Sequence, residues 1–574
     1  MDDLIGYAFL RDRWHLSAFP VACPAKRASV TRITMRNHEL LVPPSVAPGY
    51  GDPHDSVVGL DHVLFALKHE GINLQVLSEM MPHITADSLI QAIYRKPNSA
   101  PLRIAACLWE HFTGNQLDDA PEIVASTIPL FDPDRYIVSS VSQKDSRWRV
   151  AFNGLGTMDY CVTVERTQDI QRLLDEDILM QTQAFFENTD QRIMDRAIAW
   201  AYLSETESSF AIERETVPYH KAEAFAMLLR KAFDRHPCNE DYLVHLLNAV
   251  ITNPLDRAVA FRHTQNWLQN GLRGASGISY LPPPPEMLQQ IMPQIMRMAD
   301  TLHTQVNPLV AASIVSFAFV FAHPFMDGNG RLSRFLFHRT LAQSGQLEAG
   351  MVLPVSIAMK RHEGEYLKAL QSFSVPSRGM WDVRWLDGDQ FDFRLSGYDT
   401  VYRYWDATPV VAFGLDMAKE ALRHDLQSEV KLLSIYDAMI HRIEREYDIR
   451  NSDLSTLVLS CIQNGGVVSN NRRKQFHATV PEPAFAALEE AWRECSLSAG
   501  LSPPDECREH TSGNMEPSPD ALREAPQEEG NPWVQSIPIP KSAEPDKKAA
   551  EPPAGSNPAG VQQPPRNTWN NGPS

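Results

Sequence analysis

A mostly α-helical chain is predicted by three observations. Apolar residues recur every three or four positions through residues 196–385, and again from 386 to about 498, the spacing that gathers one face of a helix. The run Pro308 to Ala322 is apolar enough for a buried helix and opens on a proline, which suits a first turn. Strand-like pieces are few and short, Ile137-Val138 and Arg149-Val150-Ala151-Phe152. They fall among helical patterns at Gly59 to His69 and Asp169 to Phe186.

A chain of 574 residues exceeds what one core fills, and domains of about 100–200 residues predict about three folded units. Residues 1–195 read as an accessory domain, helical with a few strands. Its His62, His69 and His83 sit near apolar neighbours at no metal spacing and are expected to be structural. Residues 196–385 form a helical domain broken once, at the Gly- and Pro-rich passage 270–285. The four prolines from Pro282 to Pro285 cannot lie inside a helix, because proline lacks the N–H and clashes with the preceding turn. A hairpin or extended flap feeding a helix from Glu286 is expected there.

Residues 386–498 make a third, helical unit with a turn at Asn464-Gly465-Gly466 and a basic cluster at Arg472-Arg473-Lys474. From 499 to 574 the composition changes, and 15 of the 42 prolines fall in residues 501–574. Too little apolar surface remains there to offset chain entropy, so a disordered tail is predicted.

Composition excludes several classes. A formal net charge of -18 repels phosphate backbones and argues against a chain built to coat nucleic acid, although a local basic patch stays open. The 7 cysteines are scattered, odd in number and without a CxxC pair, which supports neither a disulfide framework nor a zinc knuckle. No stretch reaches the roughly 18–20 apolar residues of a membrane span, and Met1-Asp2-Asp3 opens no signal sequence. A cytoplasmic protein with no membrane partner is expected.

The chemistry concentrates after the apolar run. In His323-Pro324-Phe325-Met326-Asp327-Gly328-Asn329-Gly330, the proline and two glycines forbid a continuing helix, and Arg331 to Gln343 resumes helical spacing. Backbone N–H groups released by Gly328-Asn329-Gly330, with the positive end of the second helix behind them, form a concave anion site. Arg331 and Arg334 are three apart, on one helix face, and offer two guanidinium groups to the same anion. Asp327 adds a hard oxygen where a Mg²⁺ ion bridging two phosphates would sit. His323, ending a rigid helix, is expected to be a general base with an ordinary pKa of about 6.5. A base, a metal carboxylate, an oxyanion nest and two arginines within twelve residues suit phosphoryl-type transfer.

This string, continued by Leu332, Ser333 and Arg334, resembles without departure the Fic family signature His-Pro-Phe-x-Asp/Glu-Gly-Asn-Gly-Arg-x-x-Arg. The resemblance spans about residues 200–375. It implies a Fic-type helical bundle with a short β-hairpin flap, flanked by helical domains and the disordered tail. It also implies a Mg²⁺-dependent protein adenylyltransferase, moving AMP from ATP onto a Ser, Thr or Tyr hydroxyl of a target protein. His323 would deprotonate that hydroxyl and Asp327 would hold Mg²⁺. Asn329 and the Gly328 and Gly330 backbone would cradle the α- and β-phosphates, with Arg331 and Arg334 on the β- and γ-phosphates. Arg262, Gln265, Asn266 and Trp267, then Ala275, Ser276, Gly277, Ile278, Ser279 and Tyr280, are similar to the flap that docks the target. Leu353 to Ser356 and Tyr366 resemble the adenine-side helices, with Glu365-Tyr366 where a double tyrosine is common. Self-modification, a homodimer, and another donor such as UTP or a phosphocholine carrier stay open.

Upstream, Ser209 to Glu213 (within 208–214) resembles the family's inhibitory Ser/Thr-x-x-x-Glu motif, although Arg214 replaces the usual Gly or Asn. A carboxylate paired with Arg334 would occupy the arginine that the γ-phosphate needs. Glu213 would then brake the site or silence it into a regulatory binding module, and could also align a water for AMP removal. Ser452 to Cys495 is similar to a C-terminal, winged-helix-like part of some bacterial members. The chain's acidity favours a structural helix pair there over a nucleic-acid reader.

Overall fold

The computed structural model describes residues 3–49, 51, 55–214, 219–250, 257–388 and 390–498. The expected disordered tail lies outside the described residues. The chain is mostly α-helical with small sheets, as its periodicity predicts. Among the described residues no helix is long and apolar enough to cross a membrane.

The largest apolar core runs from Ile137 to Val430. At its centre α3 (Pro308–Ala322) is buried along its whole length, and α2 (Pro285–Thr301), α4 (Asn329–Ser344) and α7 (Thr408–Glu420) pack around it. Sequence explains why α3 begins where it does: Pro308 occupies the first turn and the Asn307 side chain accepts from Leu309 N. α1 (Gln191–Ile212) starts from Asp190, whose carboxylate accepts from Arg192 N and Ile193 N, and packs against α5 (Val355–Arg361) and α4. α6 (Glu363–Arg378) follows α5.

The flap is a two-stranded hairpin of β2 (Leu268–Gln269) and β3 (Ile278–Tyr280), inside and slightly before the expected passage 270–285. Its turn needs a glycine, since a Cβ on Gly277 would lie 1.9 Å from the Leu272 carbonyl oxygen.

Other expectations change. Ile137-Val138 forms no strand, Tyr136 making only an isolated bridge to Glu165, whereas β1 (Val150–Phe152) does form. The pattern Asp169 to Phe186 splits into helices Gln168–Asp175 and Ile178–Glu187, because Asp177 turns left-handed (φ 45°) and caps Met180 N. The segment around 385 holds a hairpin, β4 (Trp381–Asp387) with β5 (Gln390–Leu395), where the sequence suggested only helices. Its period-two pattern puts Trp381, Val383, Trp385, Phe391, Phe393 and Leu395 on one face.

The expected boundaries also fail to follow the packing. Residue 195 falls inside α1, and Tyr404–Asp406 pairs in parallel with Tyr160–Thr163. The C-terminal core begins only at Ile435 and ends at Trp492. The segments Gln427–Glu446, Asn451–Gln463, Asn470–Phe476 and Glu482–Ser498 are all helices, with no strand among the described residues to form a wing. Of the basic cluster, Arg473 is engaged with Glu489 and Glu482.

Candidate active site

The expected loop sits between two deeply buried helices. α3 ends at His323, which takes a left-handed conformation (φ 47°) while its N–H still donates to Phe319 O. α4 starts at Asn329, directly after Gly328 at φ 78°. Between them the backbone is held by side chains. Asn329 donates to Phe325 O (2.8 Å) and accepts from Phe325 N (3.0 Å). That side chain, expected at the phosphates, is therefore spent on loop shape, because a six-residue connection needs internal braces to stay fixed.

His323 is buried at 8% exposure, and its Nδ1 lies 3.2 Å from Val320 O. With the proton on Nδ1, Nε2 is the free acceptor. Burial lowers the imidazole to about 4, with Arg262 adding to the shift and the Val320 carbonyl and Asp327 opposing it. The ordinary value expected from sequence is thus corrected: the ring is neutral across the physiological range and a weaker base than a solvated histidine.

Arg262, placed with the flap by resemblance, braces the loop from beneath. Its guanidinium donates to His323 O (2.9 Å), Thr264 O (3.1 Å), Pro283 O (2.6 Å) and Ala322 O (3.4 Å). Asn266 adds bonds to His323 O and Phe325 O, and Tyr280 donates its hydroxyl to Phe321 O (2.5 Å). Tyr280 and Ile278 are buried, at 1% and 3%, because alternate residues of β3 face inward. Gly277 is buried as well, so of the six docking residues expected only Ala275, Ser276 and Ser279 reach solvent.

On α4, Arg331 is buried, reaches Asp327 Oδ2 (3.1 Å) and lies over the Phe210 ring at 5.0 Å. Asp327 accepts from Gly328 N through its other oxygen and keeps 21% of its side chain exposed. Arg334, 1% exposed, donates to Ser209 Oγ (2.7 Å), Ser209 O (2.7 Å) and Glu213 Oε1 (2.8 Å). Burial, the largest single influence, would lower this guanidinium, but the Glu213 carboxylate, Tyr366 and Glu205 together outweigh it and hold the group up. The same carboxylate rests on the start of α4: a Cβ added at Gly330 would meet Glu213 Oε1 at 2.0 Å. Glu213 therefore lies at the N-terminus of α4, where the sequence predicts an anion. Tyr366 is buried beside Arg334, packed on Phe317 and Phe413, and burial raises its hydroxyl.

Two participants escape a reading by sequence, Glu205 on α1 and His338 on α4. They meet Ser356 of α5, a residue expected on the adenine side, in a buried cluster, with His338 Nε2 2.7 Å from Glu205 Oε1 and Ser356 N 2.7 Å from Oε2. The one available signal is spacing, since Glu205, Ser209 and Glu213 recur every four residues on one helix face.

Among the described residues no group of three or more His, Cys, Asp or Glu is placed to hold a metal ion. Asp327 offers a single carboxylate at the nest, a donor set that fits a Mg²⁺ ion taking most of its ligands from phosphates and water.

Comparison with known proteins agrees with the motif. Residues 237–341 match the model of the Fic/DOC family, a span that covers the flap, the loop and most of α4 but leaves out α1. Similar solved structures include a Fic family protein from Desulfovibrio desulfuricans, 18% identical over 58% of this chain and 90% of that one, with a TM-score of 0.33. A Fic domain containing signaling protein from Bacteroides thetaiotaomicron is 14% identical over 46% and 97%, also at 0.33. Fic-1 from C. elegans is 14% identical over 67% and 96%, at 0.30. Residues 237–341 thus carry a Fic/DOC domain, and proteins with such a domain transfer nucleotide or other groups onto proteins.

Proposed function

We propose that the chain transfers AMP from ATP to a hydroxyl side chain of a protein, and that Glu213 holds this activity down. The observation that carries the reading is the Glu213 carboxylate, which lies 2.8 Å from Arg334 and rests on Gly330. An anion already finds two kinds of donor there, a guanidinium and the N-terminus of α4, and a triphosphate would use the same pair.

In the proposed reaction the target hydroxyl gives its proton to His323 Nε2 as its oxygen attacks the α-phosphorus. The bond from that phosphorus to the bridging oxygen breaks, leaving pyrophosphate and an AMP-modified protein. Arg331 and Arg334 hold the departing phosphates, and the backbone N–H groups around Gly330 take up charge on the phosphoryl oxygens. Asp327 would hold Mg²⁺, which neutralises phosphate charge when bound. The neutral imidazole suits the base at pH 7, and Arg262 holds it in place through the His323 carbonyl.

Glu213→Gly should raise transfer of label from α-labelled ATP into protein well above wild type, and adding His323→Ala should abolish it. Equal labelling by wild type and Glu213→Gly would remove the brake. Label from α-labelled UTP in preference to ATP would reassign the donor.

A further inference from the structure

Glu205 is a carboxylate with 1% exposure, and burying it is costly unless every oxygen is satisfied. It is satisfied from two other helices. His338 Nε2 approaches Oε1 at 2.7 Å, Ser356 N donates to Oε2 at 2.7 Å, and the Ser356 hydroxyl also bonds Oε1. His338 and Ser356 are themselves buried, at 5% and 0%. The cluster thus bolts α1 to α4 and to α5 at once.

The bolt lies on the stripe that carries the brake. Along α1 the stripe reads Glu205, Ser209, Glu213; facing it, α4 presents His338 and Arg334, also four apart. Glu213 ends α1 at its C-cap, about 12 Å from Glu205 at roughly 1.5 Å per residue. A slip of one turn, about 5.4 Å, would carry its carboxylate off both Arg334 and Gly330.

We infer that Glu205, with His338 and Ser356, is the positioning group that sets the register of α1 and so delivers Glu213 to Arg334. This rests on the reading of Glu213 as a brake. Glu205 itself makes no contact with the loop at His323; it acts through the helix. The chain therefore restrains the site with two anchors on one helix, one movable at the helix end and one fixed two turns earlier.

The test uses the full chain with Glu205→Ala, Glu205→Gln, Glu213→Gly and the Glu205→Ala, Glu213→Gly double variant. Hydrogen exchange over residues 205–214 reads the register directly, and the KM for ATP with labelling from α-labelled ATP reads the brake. Glu205→Ala should speed exchange at 209–214 by about tenfold, the change expected from losing one buried hydrogen-bonded anchor. It should also lower the KM for ATP toward that of Glu213→Gly, with no further change in the double variant. Glu205→Gln, which can still accept from Ser356 N and bond His338, should stay near wild type.

Unchanged exchange at 209–214 in Glu205→Ala overturns the inference, as does an equal loss of protection in the Gln and Ala variants. Faster exchange with labelling flat in every variant, Glu213→Gly included, supports the anchor and sinks the brake instead. His338→Asn and Ser356→Ala remove one partner each and carry the same comparison if Glu205→Ala fails to fold.

Discussion

Arg262→Lys should damage both stability and chemistry although the charge is kept. The guanidinium serves four carbonyls, of Thr264, Pro283, Ala322 and His323, from three nitrogens that point in different directions. An ammonium is a single point with three donors and cannot span that fork. Two or more of those buried carbonyls would lose their donor, at about 1–3 kcal/mol each for an orphaned buried group, so a loss of about 3–4 kcal/mol is expected. At roughly 2–4 °C per kcal/mol for a unit of this size, the unfolding of the central core should shift down by about 6–16 °C. The His323 carbonyl loses its 2.9 Å partner, leaving the 3.4 Å bond from Asn266, so the base should wander and transfer should fall by about a hundredfold. Thermal unfolding followed by intrinsic fluorescence, and labelling rates in a Glu213→Gly background, measure the two effects. A lysine variant that melts with wild type and transfers at its rate would refute the bracing role.

Three further outcomes follow from named groups. Because burial holds His323 near 4, the acid limb of kcat/KM in the Glu213→Gly protein should lie below about pH 5, with a level rate from pH 6 to 8; a limb centred on 6.5 would contradict it. His62 is buried, accepts from Gly6 N (3.0 Å), and is lowered by burial to about 4. Its folded pKa lies below the unfolded 6.5, so the unfolded chain binds more protons between those values and stability is lost as pH falls from 6.5 toward 4. Urea midpoints at pH 7 and 4.5 should show this, and His62→Gln should flatten the difference; an unchanged slope would count against it. Gly277→Ala places a methyl group against rigid backbone at Leu272 and should disturb the flap turn, raising the KM for a protein target while that for ATP stays put.

The loop from His323 to Arg334 is legible in sequence because its chemistry is local: twelve consecutive residues supply the helix stop, the nest and the arginines. What closes over that loop is not local. Arg262 lies 61 residues from His323, Ser209 lies 125 from Arg334 and Glu205 lies 133 from His338. No spacing rule links such positions; resemblance pointed Ser209 to Glu213 toward Arg334 and put Arg262 with the flap, not against His323. The β4–β5 ribbon was within reach, since Trp381 to Leu395 alternates apolar and charged residues around Gly388. Helical patterns on both sides hid it. Domain limits were misplaced for a different reason: α1 and the pairing of Tyr404–Asp406 with Tyr160–Thr163 carry one core across both expected boundaries.

If Glu213 restrains the site as proposed, the burial of Arg334 explains why restraint and competence would share one residue. A guanidinium at 1% exposure always needs an anion or a set of dipoles close by, because desolvation of an unpaired charge would cost several kcal/mol. Ser209 supplies a hydroxyl and a carbonyl, both neutral, so the charge itself is met by Glu213. An exposed arginine would bind a phosphate weakly and could be left empty. A buried one binds strongly and has to be filled. Under the proposed function, the side chain that fills it would compete with the nucleotide, and the strength of that competition would be set by how firmly α1 holds it there. On the proposed reading, restraint would follow from the arginine being placed where water cannot solvate it.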